Sequence, residues 1–160
     1  MKRITTLLVS ALCAIFLVSC EKDQNNSQWH RFYGFTKDDI VGHYKANPDP
    51  SAYQELPTEG VKVYDNATVD VTSIGENHVS ICLNIPKVLI NKTFSGAVYT
   101  ADDNSDLAMK NGNEDIRMTI YKSNSGQVRL KGWQKRYYYD ANQVLINSDN
   151  YGFDVVIVKE

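Results

Sequence analysis

The 160-residue sequence has few cysteines and few prolines, and the shortage of cysteines excludes one class of fold. It contains three cysteines, of which Cys13 and Cys20 lie in the first 20 residues and Cys82 stands alone in the remainder. So few cysteines exclude a fold built on a dense disulfide framework. An isolated cysteine in a strand pattern, as at Cys82, most often packs as a small buried hydrophobe.

The sequence also lacks every short motif that marks a common catalytic or metal site. Its three histidines, His30, His43 and His78, are too far apart to form a ligand pair on one helix or strand. The acidic run Asp102–Asp106 lacks the glycine and distal glutamate of a calcium loop. There is no nucleophile elbow, phosphate-binding loop or dinucleotide fingerprint. We therefore predict a protein that is not an enzyme and carries no metal or cofactor.

An excess of positive charge is missing as well. Seventeen Lys and Arg against nineteen Asp and Glu give a formal net charge of −2, and the sequence pI is about 5.9. A mildly acidic chain has no overall attraction for nucleic acid, so no nucleic-acid partner is expected.

One apolar segment stands out, and it lies at the N-terminus. Met1-Lys2-Arg3 is followed by a largely apolar stretch from Ile4 to Val18. The stretch has the layout of a secretory signal and is too short for a membrane-spanning helix. It ends in Leu17-Val18-Ser19-Cys20, which resembles the lipobox of bacterial lipoproteins. That resemblance implies cleavage before Cys20, a diacylglyceryl group on its thiol, and usually an acylated amine.

The residues after Cys20 are polar and suit a solvated tether. We therefore expect a signal peptide over 1–19, a tether over 20–35 and one folded domain over 36–160. Loss of Lys2 and Arg3 with the signal would move the formal net charge from −2 to −4. The expected location is the outer membrane, by a lipid anchor, facing either the periplasm or the cell surface. Trp29–Tyr33 could either pack on the domain or lie loosely beside it.

The rest of the chain alternates with the period of β-strands. In Val79–Ile85 every odd position is apolar, and in Asp115–Lys122 the apolar side chains Ile116, Met118 and Ile120 fall on one face. About eight such strands, separated by turn signals, predict an all-β fold, either a small antiparallel barrel or a β-sandwich.

Three local patterns give further expectations. Thr36 followed by Asp39 is typical of a helix start, although Gly42 limits any helix to about one turn. The proline-rich stretch 47–60 suggests a long loop, and Asn147–Asn150 suggests a turn between two short strands.

Asp39-Ile40-Val41-Gly42-His43-Tyr44 resembles the short helix and Gly-x-aromatic entry into the first strand of lipocalin-like (calycin-like) barrels. Small lipoproteins of Bacteroidota-type bacteria often carry such a domain after a polar tether. The resemblance covers about residues 36–160 and implies a cup-shaped barrel with no established activity. Lipocalins usually have Trp where this chain has Tyr44.

The segment 127–139 is the most unusual part of the folded region. If it forms one strand, a basic and aromatic stripe shares one face, because side chains alternate with a period of two. The stripe consists of Arg129, Lys131, Trp133, Lys135, Tyr137 and Tyr139. Aromatic rings stack on sugar rings and cations hold carboxylate or sulfate. The alternative is an ordinary solvent-facing strand, or a bulge at Gly132 that exchanges the two faces.

These observations favour a lipid-anchored envelope protein with a non-catalytic binding module, its ligand a glycan or a small amphiphile. The membrane would be a partner through lipidated Cys20. One alternative is a structural or interaction subunit of a surface protein complex. A hydrolase whose site is assembled only in space ranks below both.

Overall fold

The structure is a computed structural model, and it describes residues 29–45, 52–56, 60–98 and 103–157. Over these residues the chain is almost entirely β-sheet, so the predicted all-β class is confirmed. The expected signal peptide, Cys20 and the first part of the expected tether lie outside the described residues.

Eleven strands, one α-helical turn and one 3-10 turn make up the fold. The helical turn α1 is Lys37–Ile40 and the 3-10 turn is Pro86–Val88. The strands are β1 Trp29–Arg31, β2 Gly42–Lys45, β3 Ala52–Leu56, β4 Gly60–Tyr64, β5 Thr68–Gly75, β6 His78–Ile85, β7 Ile90–Ala97, β8 Asp106–Asn111, β9 Glu114–Ser123, β10 Val128–Tyr139 and β11 Leu145–Ile157.

All strand pairs are antiparallel and belong to one sheet in the order β1-β9-β10-β11-β2-β5-β6-β7. Two further pairings extend it: β8 lies beside β9, and the β3–β4 hairpin lies beside β11. The long strands β9, β10 and β11 form its central part.

The predicted alternation decides which face is buried. The odd-numbered residues of β6 and the even-numbered residues Ile116, Met118 and Ile120 of β9 are buried, as expected. One hydrophobic core receives side chains from strands throughout the sheet. Its largest fully buried apolar members are Tyr44, Phe35, Phe94, Phe153, Ile40, Ile81, Leu83, Ile85, Ile116, Ile120 and Leu130.

The sheet curls over this core without closing into a barrel, so the expectation of a closed barrel is wrong and the sandwich alternative fits better. In the described residues β7 and β8 meet without a backbone ladder. The Asn111 side-chain amide donates to the Thr93 carbonyl (3.0 Å), and the Met109 side chain covers Gly96. Side chains therefore fill the seam that a barrel would close with backbone hydrogen bonds.

The predicted helix start is confirmed. The Asp39 carboxylate accepts hydrogen bonds from the Thr36 amide (2.8 Å) and the Thr36 hydroxyl (2.7 Å). The helix is a single turn that places Ile40 in the core. The Tyr44 hydroxyl donates to the Ile40 carbonyl (2.7 Å), and burial raises the pKa of Tyr44 well above its usual value.

Two expected irregular segments contain strand instead. Within 47–60, Ala52–Leu56 pairs with β4, and its residues Ala52–Gln54 also pair with β11. Asn147–Asn150 is no turn but part of β11, where it pairs with Lys135–Tyr138 of β10.

The N-terminal aromatic segment packs on the sheet. Trp29–Arg31 pairs with Tyr121–Ser123 of β9, and Phe35 is fully buried. The His30 ring nitrogen Nε2 lies 3.1 Å from Asn124 Oδ1, beside the β9–β10 turn. The chain therefore enters the described fold at the end of the sheet that holds this turn.

Candidate functional site

Strand β10 pairs with both neighbouring strands without a register shift as far as Tyr138, and this determines which way its side chains point. Its pairing with β11 is continuous from Arg129 to Tyr138, and its pairing with β9 is continuous from Val128 to Arg136. The bulge considered at Gly132 is therefore not formed. A Cβ at Gly132 would overlap the carbonyl oxygen of Arg117, so glycine allows a close approach of β9 rather than a bulge.

The continuous register divides β10 into an inner and an outer face. Val128, Leu130 and Gln134 are buried on the inner face. The predicted stripe occupies the outer face, where its members are partly or largely exposed: Arg129, Lys131, Trp133, Lys135, Tyr137 and Tyr139. The shared face predicted from the sequence is therefore confirmed from Arg129 to Tyr137. Tyr139 follows a register shift between Tyr138 and Tyr139, and its ring centre lies 6.5 Å from that of Tyr137. Binding at this face remains a prediction.

The first cation of the stripe is already paired. The Arg129 guanidinium donates two hydrogen bonds to the carboxylate of Asp154 on β11. These bonds raise the pKa of Arg129 above its usual value. The Lys131 ammonium reaches the same carboxylate only at 4.0 Å. Arg129 thus has a structural partner, and Lys131 is held more loosely.

The distal half of the stripe is also engaged within the protein. The Lys135 ammonium lies 5.1 Å from the centre of the Tyr137 ring. The Tyr137 hydroxyl donates to Asp115 (3.1 Å), and its pKa is raised by desolvation and by this hydrogen bond. Tyr139 lies 6.5 Å from Tyr137 between ring centres, beyond the last residue pair of β9 and β10.

A groove of about 260 Å³ crosses the outer face at the middle of the stripe. Only Lys131 and Trp133 of the six stripe residues line it. The other lining residues are Asp106, Leu107, Ala108, Arg117, Met118, Thr119 and Gly132. The candidate site therefore runs across β8, β9 and β10 rather than along β10, and we call it the Trp133 groove.

Arg117 and Trp133 are opposite each other on β9 and β10. The Arg117 guanidinium carbon lies 5.9 Å from the Trp133 ring centre, within the range of a cation–π contact. Among the described residues Arg117 forms no ion pair, so its hydrogen-bond donors remain available to a ligand. The groove thus combines an aromatic ring with a cation that forms no ion pair within the described ranges.

The other side of Trp133 is flanked by a second aromatic residue. Gly152 on β11 is opposite both Trp133 on β10 and Tyr53 on β3. The Tyr53 ring lies over Gly152 so closely that a Cβ there would overlap it. Glycine on β11 lets the aromatic side chain of β3 lean across the sheet towards Trp133.

A second groove, of about 320 Å³, adjoins the first and shares Ala108 and Arg117 with it. It is lined by Asp115, which is 7 % exposed. Oδ2 of Asp115 accepts from Tyr137, whereas Oδ1 is buried with no hydrogen-bond partner in the described structure. A buried carboxylate oxygen without a hydrogen-bond donor costs free energy, so a donor placed beside Oδ1 of Asp115 would lower that cost.

Sequence reasoning missed Arg117 and Asp115 as site residues, and it treated Asp106 only as part of an acidic loop. Arg117 and Asp115 are single polar positions in an alternating strand, which by itself predicts only solvent exposure. Their role depends on the register of β8 against β9 and of β9 against β10, and alternation within one strand does not give that register. The alternation of Asp115–Lys122 did place Arg117 on the outer face.

The described residues offer little support for other kinds of site. They contain no group of three or more His, Cys, Asp or Glu side chains able to hold a metal ion. Within the same ranges, no helix is long and apolar enough to cross a membrane. In the same part of the chain, buried side chains from strands throughout the sheet pack into one hydrophobic core.

No known protein family, curated protein or solved structure matches the chain. The case for function therefore comes from the site alone.

Proposed function

We propose that this protein is a non-catalytic glycan-binding protein and that the Trp133 groove takes an acidic sugar. The observation that carries the proposal is the position of Trp133 on the outer face, beside Arg117 and Lys131 and along a groove of about 260 Å³. The other elements of the proposal are the class of sugar and the attachment of the protein to the envelope.

The chemistry of the groove matches a sugar ring that carries a carboxylate or sulfate. The flat, apolar face of a pyranose stacks on an aromatic ring, and Trp133 supplies one. Arg117 supplies a planar fork of donors suited to a carboxylate or sulfate. Asp106 and Thr119 supply acceptors for sugar hydroxyls. The ligand would replace or share the present contact between Arg117 and Trp133.

The acidic character of the sugar follows from the local balance of charge. Arg117 has no ion pair in the described structure, and Lys131 shares Asp154 with Arg129. One further acid, Asp106, lines the groove. An anionic group placed between Arg117 and Lys131 would therefore meet one cation that forms no ion pair in the described structure and a second that shares its carboxylate with Arg129.

We also propose that the protein is anchored to the outer membrane through lipidated Cys20. The support is the lipobox-like sequence Leu17-Val18-Ser19-Cys20 after a signal-like segment. Two or more acyl chains bind a membrane firmly, whereas one binds only marginally. An anchored glycan-binding protein would hold polysaccharide close to the cell envelope.

A binding comparison tests the glycan proposal. Full-length wild-type protein and the variants Trp133→Ala and Arg117→Gln are titrated by calorimetry with uronate-containing, sulfated and neutral polysaccharides. The wild type should bind an acidic polymer more tightly than a neutral one. Loss of Trp133 should weaken binding by about tenfold or more, as for a central aromatic contact. Arg117→Gln should mainly reduce the preference for acidic polymers.

Tyr139→Ala is the matched control. Tyr139 lies on the same strand as Trp133 but outside the Trp133 groove. This variant should bind like the wild type. Equal binding by wild type and Trp133→Ala would refute the groove as the site, and equal affinity for acidic and neutral polymers would refute the acidic class.

A further inference from the structure

The Trp133 groove lies on a row of residues that crosses the strands of the sheet. Residues directly opposite each other in antiparallel strands share a face, so a row of such pairs stays on the outer face with Trp133. The pairings place six residues in this row, one from each of six neighbouring strands. From β8 through β9, β10, β11 and β3 to β4 they are Ala108, Arg117, Trp133, Gly152, Tyr53 and Val63. We call these six residues the aromatic row.

The rows on either side of the aromatic row are polar. In the order β8 to β11, one consists of Asp106, Thr119, Lys131 and Asp154, and the other of Lys110, Asp115, Lys135 and Asn150. Both flank the aromatic row because outward-facing residues of a strand are two positions apart. A stacking surface between two polar borders suits a sugar chain, since the faces of a pyranose ring are apolar and its edges carry hydroxyl groups.

Tyr53 is placed to extend the stacking surface of Trp133. Its side chain is partly exposed, and its ring lies over Gly152, which is the residue of β11 between the two aromatic positions. Because Gly152 has no side chain, no bulky group of β11 stands in the aromatic row between Trp133 and Tyr53. A ligand on Trp133 can therefore continue onto the Tyr53 ring.

The other direction open to a sugar chain runs along β10, over Tyr137. The Lys135 ammonium lies 5.1 Å from the centre of the Tyr137 ring, and the Tyr137 hydroxyl donates to Asp115 (3.1 Å). The Trp133 groove crosses β8, β9 and β10, and Tyr137 does not line it. The shape of the groove therefore favours the direction across the strands.

We propose that Tyr53 is a second stacking position and that the ligand is an extended acidic oligosaccharide lying along the aromatic row. One sugar ring stacks on Trp133 with its acidic group at Arg117, and a later ring of the same chain stacks on Tyr53. Three strand spacings separate Arg117 from Tyr53, roughly 14 Å, which is longer than a single sugar ring. The inference rests on the proposed glycan binding and adds to it the length and the direction of the glycan.

The dependence of affinity on chain length tests this inference on the full-length chain. Galacturonic acid is compared with tetragalacturonate, and N-acetylgalactosamine 4-sulfate with a chondroitin 4-sulfate tetrasaccharide. Ligand-observed nuclear magnetic resonance gives the dissociation constants, including those of weakly bound monosaccharides. Tyr53→Leu keeps an apolar side chain over Gly152 without the ring, Tyr53→Phe keeps the ring, and Tyr137→Leu tests the direction along β10. Circular dichroism first shows that the variants keep the β spectrum of the wild type.

Tyr53→Leu should weaken binding of the tetrasaccharide by about three- to tenfold, as expected for one aromatic contact, and leave binding of the monosaccharide unchanged. Tyr53→Phe and Tyr137→Leu should bind both lengths like the wild type. If Tyr53→Leu changes both lengths equally or neither, the inference is wrong, while glycan binding at Trp133 stands.

Two further outcomes separate this inference from the proposed function. If Tyr137→Leu, and not Tyr53→Leu, removes the gain in affinity with chain length, the glycan lies along β10 and the inference is wrong. If the wild type binds neither acidic series at either length, the proposed function is itself refuted, and this inference with it.

Discussion

At the scale of single residues, two glycines allow close contacts within the sheet. Gly132 permits the backbone of β9 to approach β10, and Gly152 permits the Tyr53 ring to lie over β11. The two contacts differ in kind, because the first involves backbone and the second a side chain. We therefore expect truncation of the neighbouring side chain to restore stability at Gly152 but not at Gly132.

Gly152→Ala should destabilise the protein by about 1–3 kcal/mol, the usual cost of overpacking. In a Tyr53→Ala background the same substitution should cost only a few tenths of a kcal/mol, because the overlapping ring is gone. Urea denaturation of the four proteins measures this coupling. Equal costs in the two backgrounds would show that Tyr53 does not cover Gly152.

Gly132→Ala should lower the free energy of unfolding by at least as much as Gly152→Ala. Truncation of a neighbouring side chain should not restore this stability, because the obstacle is the carbonyl oxygen of Arg117. The matching double variant is Gly132→Ala with Met118→Gly, which removes the Met118 Cβ, the one side-chain atom among the three nearest neighbours. Rescue by Met118→Gly in urea denaturation would contradict the close backbone approach.

Gln134 is a polar residue among the apolar side chains on the inner face of β10. It is 2 % exposed, and its Nε2 has no hydrogen-bond partner in the described structure. Gln134→Met removes an unsatisfied amide at similar volume and should raise the free energy of unfolding by about 1 kcal/mol. A clear loss of stability on thermal and urea denaturation would mean that the amide has a partner.

At the scale of elements, alternation predicted the inner faces of β6 and β9 and the outer face of β10, because one buried face dictates every second residue. It could not predict β3, which lies among prolines, or the continuity of β11 through Asn147–Asn150. β3 pairs with β4 and β11, and the Asn147–Asn150 part of β11 pairs with Lys135–Tyr138 of β10; alternation within one strand identifies neither partner. The same limit hid Arg117, which becomes a site residue only because β9 pairs with β10 opposite Trp133.

The alternation makes a direct prediction about stability. Ile81→Ala and Ile120→Ala should each cost about 2–5 kcal/mol, because both side chains are fully buried. Their neighbours Ser80 and Thr119 point to the other face and should tolerate Ala with little loss. Chemical denaturation would contradict the assigned register if all four variants were equally stable.

At the scale of the whole molecule, the position of Trp29 limits how far the sheet can lie from the proposed lipid anchor. Trp29 pairs with Ser123 beside the β9–β10 turn. Eight residues lie between Cys20 and Trp29, so the chain between them reaches at most about 32 Å. With Cys20 lipidated, the end of the sheet that holds the β9–β10 turn would therefore lie within that distance of the membrane.

The anchor has its own test. Cys20→Ser should abolish incorporation of a radioactive fatty acid and release the protein from the membrane fraction, because it removes the thiol that we propose to be acylated. Cys82→Ser is the matched control and should still be labelled. A Cys20→Ser protein that takes up label would exclude the lipobox interpretation.

The most direct test of the proposed function observes Trp133 itself. Trp29→Phe leaves Trp133 as the sole tryptophan, and its quenching by acrylamide is measured with and without a uronate oligosaccharide. We predict that free Trp133 is accessible to acrylamide and that the acidic sugar protects it, whereas a neutral sugar does so less. If Trp133 is already inaccessible without sugar, or if bound acidic sugar leaves its quenching unchanged, Trp133 does not form the binding surface.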